Sequence, residues 1–325
     1  MNLSRHLLLA ALLLAPTLLC TRPLSAQPNL IVISKTDHTL AEVDPATLKV
    51  LWTAPVGPSP HEVAISPDNS HAYISNFGGA SFHTISVVDL RTHKALPDID
   101  TTPLVGAHGL AFAGKTLWFA AQTPGSVASL DPATGKIGTT LLTHQDHTHM
   151  LWVSPDQKKV VVINVSSVTI FEKHGTTWTP TQVNVDPGSE GFDLTPDHKQ
   201  IWTSNAKTGT ISVIDLPGKK LIETFPADVL TANRLKITPD GKFALVTLLN
   251  GPDLVVVDTA TRKVVRSIPI GHGAAGLLID AAGNHAYASC GPDNYVAVID
   301  LHTWKVTGHI EAGGNPDGLA WLNPR

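Results

Sequence analysis

The sequence lacks the means to form a disulfide within a mature domain. Of its two cysteines, Cys20 lies in an apolar N-terminal segment, which leaves Cys290 alone in the remainder. A hydrophobic core must therefore hold the fold, and a chain of 325 residues is long enough to bury one. Charged residues make up only 15% of the chain, and the net charge of −4 is scattered. This composition offers no basic surface for nucleic acid or an anionic membrane.

Long hydrophobic runs are confined to the N-terminus. After Arg5 and His6 comes an apolar stretch, residues 7–19, which is interrupted by Pro16 and followed by PLSAQ. This order is typical of a secretory signal peptide and is too short for a convincing membrane span. We therefore expect a signal peptide at 1–26, cleaved after Ala26, and one domain at 27–325. The mature protein is predicted to be periplasmic or secreted, without stable insertion into a membrane.

The rest of the chain is one unit repeated seven times. The phrase Ser/Thr-Pro-Asp recurs at Ser66, Ser154, Thr195 and Thr238, and degenerate copies follow Phe112 and Ile279. The resulting units are 41 to 48 residues apart. Each unit contains four short β-branched and aromatic segments separated by turn residues, which predicts antiparallel strands a to d. A repeat of this length with four strands predicts an all-β, seven-bladed β-propeller of four-stranded blades.

The two ends of the chain are predicted to share one blade. Residues 29–62 supply only strands b, c and d, and the C-terminal LAWLN (319–323) supplies the missing strand a. Strand c ends in aspartate in six of the seven units, and these side chains are expected to form turns. They are Asp44, Asp89, Asp131, Asp215, Asp258 and Asp300.

AYISN (72–76), IWTSN (201–205) and the VIDL or VVDL strands resemble those of the YVTN-repeat propellers, a YncE-like and lactonase-like family. The resemblance extends over essentially the whole mature chain and implies the seven-bladed fold. The group includes exported binding proteins, lactonases, a muconate cyclase and metal-dependent enzymes, so it implies no single activity. No Cys-x-x-Cys-His sequence occurs, which argues against a haem, and we expect no nucleotide cofactor.

Aligning the repeats places one position of every strand a around the same face of the disc, and it is polar in six of the seven units. In chain order it is occupied by His61, His108, His149, Glu190, Asn233, Ala275 and Asp317. The position two residues further along is apolar in all seven units. If the 16 histidines of the chain were distributed at random, three of them would rarely occupy this position in consecutive blades. The stretch HQDHTHML (144–151) therefore contributes His149 to a shared site, with His147 as an outer partner or second ligand and His144 and Asp146 solvated.

The ends of strand b give a second polar ring, with side chains that either cap loops or contact a ligand. Its members include Asn76, Gln122, Asn164 and Asn205, and Asn233 and Asp317 join them as candidate ligand-binding residues. The aromatic residues Tyr73, Trp118, Trp202 and Tyr287 occupy one register of strand b and are expected to pack between blades.

Three functions are compatible with this pocket. The first, favoured by a small margin, is a binding protein for a small molecule, a metal ion or another exported protein. The second is a metal-dependent enzyme, in which His61, His108, His149 and Glu190 hold Zn, Cu or Fe. The third follows from the resemblance to lactonases and the muconate cyclase: His149 or Glu190 moves a proton and Arg234 holds a carboxylate.

Overall fold

A computed structural model describes residues 27–324. The predicted signal peptide, residues 1–26, lies outside the described residues. Between Gln27 and Pro324 no helix has the length and apolar character that crossing a bilayer requires.

The described chain forms seven four-stranded antiparallel sheets. The strands of blades 1 to 4 are β1 (Asn29–Ser34), β2 (Thr39–Asp44), β3 (Lys49–Pro55), β4 (Pro60–Ile65), β5 (His71–Asn76), β6 (Thr84–Asp89), β7 (Lys94–Asp100), β8 (Val105–Ala113), β9 (Thr116–Thr123), β10 (Ser126–Asp131), β11 (Lys136–Leu142), β12 (Leu151–Val153), β13 (Lys159–Asn164), β14 (Ser167–His174) and β15 (Thr177–Asn184). Those of blades 5 to 7 are β16 (Ser189–Leu194), β17 (Gln200–Asn205), β18 (Thr210–Asp215), β19 (Lys220–Pro226), β20 (Ala232–Ile237), β21 (Phe243–Leu248), β22 (Asp253–Asp258), β23 (Lys263–Pro269), β24 (Ala274–Ile279), β25 (His285–Cys290), β26 (Tyr295–Asp300) and β27 (Lys305–Ile310). A short 3₁₀ helix, Gly291–Asp293, precedes β26.

The last strand, β28 (Pro316–Leu322), completes blade 1. It pairs antiparallel with β1, so that Leu30 lies opposite Trp321 and Val32 opposite Leu319. The prediction that the two ends share a blade is confirmed, with a strand that begins three residues earlier than the LAWLN segment.

Apolar side chains pack between the blades in seven separate clusters, one for each pair of neighbouring sheets. The central strands of each blade are buried on both faces, which explains their continuous Val and Ile runs. The four aromatic residues expected between blades, Tyr73, Trp118, Trp202 and Tyr287, are all buried. The cluster between blades 7 and 1 includes Tyr287 and closes the ring.

Five of the six aspartates predicted at the ends of strand c act as turn formers. Asp258 accepts hydrogen bonds from the backbone N–H groups of Ala260 and Thr261 and from the Thr261 hydroxyl. Asp44, Asp89, Asp131 and Asp300 accept equivalent bonds. These hydrogen bonds, led by the one from the Thr261 backbone, lower the pKa of Asp258.

Truncation of the closing strand should destabilise the whole ring. Removing residues 316–325 deletes β28 and the side chains of Leu319, Trp321 and Leu322, each of which contributes about 2–5 kcal/mol when it is well buried. We expect the free energy of unfolding, measured by urea denaturation, to fall by several kcal/mol. Removing only residues 323–325, beyond the strand, should change little. Equal stability of the two truncated proteins would contradict the closure.

The turn aspartates should make stability sensitive to acid. Because the pKa of Asp258 is lower in the folded than in the unfolded state, its contribution is complete above about pH 4 and is lost as pH falls through the folded value. Urea denaturation at pH 6 and pH 3 should show a smaller acid-induced loss for Asp258→Asn than for the wild type. Parallel losses in the two proteins would show that this carboxylate does not contribute.

Candidate functional site

Five consecutive blades present polar side chains at the mouth of the central channel. Asp317 of β28, His61 of β4, His108 of β8, His149 directly before β12 and Glu190 of β16 follow one another around the ring. We call the space that these five residues border the channel-mouth pocket. Since each residue occupies the same position of its repeat, the ring symmetry brings together side chains separated by about 40 residues in sequence.

The three predicted histidines do converge. The ring centroids of His61 and His108 are 4.1 Å apart and nearly perpendicular, and those of His108 and His149 are 3.7 Å apart. Phe77 stands against the first two, with centroid distances of 5.4 Å to His61 and 4.8 Å to His108. His108, in the middle, is only 1% exposed.

A carboxylate borders each end of this row of imidazoles. At one end Asp317, fully buried, contacts Nδ1 of His61 through Oδ2, and the ammonium of Lys35 lies 2.5 Å from the same oxygen. At the other end Oε2 of Glu190 lies 2.9 Å from Nε2 of His149. A hydrogen bond donated by one ring nitrogen to a carboxylate fixes the orientation of an imidazole and leaves the other nitrogen for a ligand.

The Glu190 end is the more open one and includes a further histidine. Nε2 of His147 lies 3.8 Å from Oε1 of Glu190, and its ring stacks on that of His149 with a centroid distance of 4.9 Å. The side-chain amide of Gln122 is 3.2 Å from Nδ1 of His147. His147 therefore lies beside Glu190 and His149, and Gln122 lies against it.

Directly beneath the histidines an ion pair crosses the channel. The guanidinium of Arg234, on blade 6, contacts the carboxylate of Glu62, on blade 2, and the side-chain oxygen of Asn233. Four of the other five blades have glycine at this position, and a Cβ on Gly318 would collide with the backbone of His61 and Glu62. The inner strands therefore approach closely here, and the pair blocks the channel below the pocket.

Below that pair lies a cavity of about 200 Å³ that the three histidines do not line. Its walls are formed chiefly by the apolar register seen in the sequence, including Val63, Leu110 and Phe192. The Glu62–Arg234 ion pair therefore closes the inner end of the channel-mouth pocket and separates it from this cavity. We call this ion pair the floor of the pocket.

Burial and charge set the protonation states of the pocket. Burial, together with the neighbouring His149 and His61, holds the pKa of His108 well below its usual value. Burial also lowers the pKa of His149, although Glu190 opposes the shift. Burial alone would raise the pKa values of Asp317 and Glu190, but the contacts with His61 and with His149 respectively outweigh it and lower both. At neutral pH both carboxylates are ionised, and His108 and His149 are neutral.

Arg234 keeps its charge in the floor of the pocket. Burial by itself would lower the pKa of its guanidinium, but the carboxylates of Glu62 and Asp317 outweigh burial and raise it. A buried cation of this kind depends on its partner, because an unpaired charge away from water is costly.

Several polar atoms of the pocket have no partner within the described part of the chain. Nδ1 of His108, Nδ1 of His149 and Oδ1 of Asp317 are buried and make no hydrogen bond there. Buried polar groups are nearly always satisfied in folded proteins. Three buried atoms of this pocket therefore lack the hydrogen bonds that such groups ordinarily make.

The potential metal ligands divide into two groups. Ligand atoms of His147, His149 and Glu190 all lie within 4.8 Å of one another, and so do those of His61, Glu62 and His108. No group found between Gln27 and Pro324 contains all four of the predicted metal residues His61, His108, His149 and Glu190. The predicted set is thus brought into one pocket but is shared between two clusters.

The predicted asparagines do not line the pocket with free amides. Each is buried and is used within its own blade: the Asn76 amide donates to Thr84 and Ser86, and Asn205 makes the equivalent bonds to Thr210 and Ser212. The amide of Asn164 donates to Ser167 and Thr169. The loop-capping interpretation of this second ring accounts for these contacts.

Glu62 was not among the candidates from the sequence. Its signal was present, because Glu62 and Arg234 share the register that directly follows the ring residues, where four of the seven blades have glycine. Opposite charges at two such positions predict a pair only once the ring places blades 2 and 6 across from each other.

Residues 167–286 match the model of a family described as YncE-like β-propellers. Over that stretch the chain is similar to this family, and the seven sheets make it a seven-bladed β-propeller. Curated proteins give no significant sequence match.

Solved structures resemble this propeller over most of its length. A Desulfotomaculum acetoxidans protein of unknown function has a TM-score of 0.73 at 15% identity and covers 92% of this chain and 100% of its own. Hydrazine synthase from Kuenenia stuttgartiensis has a TM-score of 0.72 at 18% identity, with 88% and 99% covered. A Bacteroides fragilis protein described provisionally as a 6-phosphogluconolactonase has a TM-score of 0.74 at 16% identity, with 90% and 98% covered. At such identities the likeness concerns the fold.

Removing one partner of the ion pair in the floor should be more costly than removing both. Arg234→Met leaves the Glu62 carboxylate buried without its partner, so we expect the free energy of unfolding to fall by about 3 kcal/mol in urea denaturation. The double variant Glu62→Gln, Arg234→Met removes both charges and should recover most of that loss. If the single and double variants are equally unstable, the guanidinium stabilises the fold by packing rather than by charge.

Proposed function

We propose that this chain is an exported propeller that binds a divalent transition metal ion in the channel-mouth pocket, through His147, His149 and Glu190. The observation that carries the proposal is the convergence of two imidazoles and one carboxylate within 4.8 Å. Such a donor set suits Zn²⁺, Cu²⁺ or Fe²⁺ and leaves coordination positions open. Export rests on the signal-peptide pattern of residues 1–26.

The balance of charge favours a cation at the Glu190 end. Four of the five charged side chains around the pocket form two pairs, Lys35 with Asp317 and Arg234 with Glu62. Glu190 is the exception, because its contacts are with the imidazoles of His149 and His147. One negative charge is therefore left without a permanent cation, and a metal ion placed there would compensate it.

The surroundings of this cluster also suit a metal ion. Gln122 contacts Nδ1 of His147 and so holds the ring with Nε2 towards Glu190. His149 is buried, whereas His147 and Glu190 are partly exposed, which gives an ion a path from solvent. Contacts of this kind orient metal ligands and tune their affinity.

The two alternatives, a metal ion at the inner cluster of His61, Glu62 and His108 and a lactonase-like mechanism, use groups that already have charged partners. In the inner cluster, His61 is held by Asp317, and Glu62 by Arg234. The contact of Arg234 with Glu62 and Asn233 argues against the lactonase-like mechanism, because its guanidinium is not free to hold a substrate carboxylate. The geometry therefore supports metal binding at the outer cluster best.

Metal uptake by untagged protein tests the proposal directly. After treatment with a chelator and dialysis, titration calorimetry with Zn²⁺ should give one ion per chain, confirmed by elemental analysis. Glu190→Gln keeps the shape of the side chain but removes the charged ligand, and should weaken binding by more than about 100-fold. Gln122→Ala removes only an outer contact and should weaken it by about 10-fold.

Two further variants make the test specific. His174→Gln alters an exposed histidine on the β14–β15 hairpin and should leave Zn²⁺ binding unchanged. His108→Phe should also retain the ion, whereas it would lose it if the ligands were His61, His108 and His149. Failure of the wild type to bind Zn²⁺, Cu²⁺ or Fe²⁺, or equal affinity of Glu190→Gln, would overturn the proposal.

A further inference from the structure

The charges of the channel-mouth pocket bear on what accompanies the metal ion proposed above. The Lys35–Asp317 and Arg234–Glu62 pairs are each neutral, and Glu190 contributes one negative charge. A divalent ion bound at Glu190 would therefore leave the pocket with one net positive charge. Because an uncompensated charge in a partly buried site is costly, such a pocket attracts one small anion.

The position next to the metal cluster also has unused hydrogen-bonding capacity. His108 packs against His149 at a centroid distance of 3.7 Å, and its Nδ1 is buried without a partner. An imidazole ring carries at least one N–H donor, so His108 can donate a hydrogen bond to an anion bound beside His149.

The floor and wall limit the size of that anion. The Glu62–Arg234 pair blocks the channel beneath the histidines, and Phe77 stands against His61 and His108. A ligand that reaches His108 must therefore approach from the mouth, beside His149. The rings packed around His108 favour a small monoanion, such as a carboxylate, over a larger one.

We propose that the pocket takes up a metal ion and a small monoanion together, the anion filling an open coordination position at the His147–His149–Glu190 site and accepting a hydrogen bond from His108. This inference rests on the proposed metal site and adds to it a ligand class and a residue that recognises the ligand. The coupling is reciprocal, so the anion raises metal affinity by the factor by which the metal raises anion affinity.

Cu²⁺-loaded protein and azide provide a direct test, because azide bound to Cu²⁺ gives a charge-transfer absorption band. We expect a saturable band on azide titration, displacement of azide by sodium acetate, and no binding of either anion to the metal-free protein in calorimetry. A Cu²⁺ solution in the same buffer serves as the reference for complex formation outside the protein.

Variants at His108 test the recognition step. His108→Phe preserves the ring contacts but removes the donor, and azide affinity should fall by about 10- to 100-fold while Cu²⁺ stoichiometry stays at one. His108→Asn restores a donor and should bind azide more tightly than His108→Phe. If the phenylalanine variant does not fold, His108→Ala provides the same comparison with His108→Asn, and His174→Gln is the matched control with wild-type affinity.

The outcomes separate the two proposals. Absence of Cu²⁺ uptake overturns both. Stoichiometric Cu²⁺ without a saturable azide band, or equal anion affinity with and without metal, overturns only the paired uptake. Unchanged azide affinity in the variants that lack a donor at position 108 overturns the role of His108.

Discussion

The antiparallel pairing of β28 with β1 is the constraint on which the rest of the structure depends. Without it blade 1 would have three strands, and the sheets of blades 1 and 7 would lose part of their shared core. No disulfide is available to replace it, because Cys290 is the single cysteine of the described chain and is buried. Closing the ring also fixes the distance between opposite blades, which neither blade can set alone.

That fixed ring explains how residues remote in sequence form one site. His61, His108 and His149 are far apart along the chain, yet their rings touch because successive inner strands present the same position to the channel. Glycine in the next position allows neighbouring strands to approach so closely that these contacts are formed. A single extra residue in one repeat would turn its ring side chain away from the pocket, because side chains alternate between faces along a strand.

The sequence was sufficient for the fold and for the row of histidines, because both follow from the repeat and its register. The sequence was insufficient to predict which groups would form hydrogen bonds or ion pairs with the candidate residues. Asn76 and Asn205 were candidate ligand residues, but the hydroxyls of their own blades accept the hydrogen bonds of their amide N–H groups, a choice that depends on local rotamers. Glu62 was missed because its contact with Arg234 joins the inner strands of two opposite blades across the channel. Distances across a ring are set by closure, on which a linear repeat carries no direct information.

The charged floor gives the pocket its functional character. Buried ion pairs are weak evidence for stability, since well-packed apolar residues of similar volume often serve as well or better. Here the Glu62–Arg234 pair crosses the channel between the histidines and the cavity, whose wall combines apolar side chains with Asp193 and Lys236. It also removes a free guanidinium and a free carboxylate from the floor, as Lys35 neutralises Asp317 at the side. Glu190 then remains as the one carboxylate of the pocket without a cationic partner, which is the physical basis of the metal site proposed at its end.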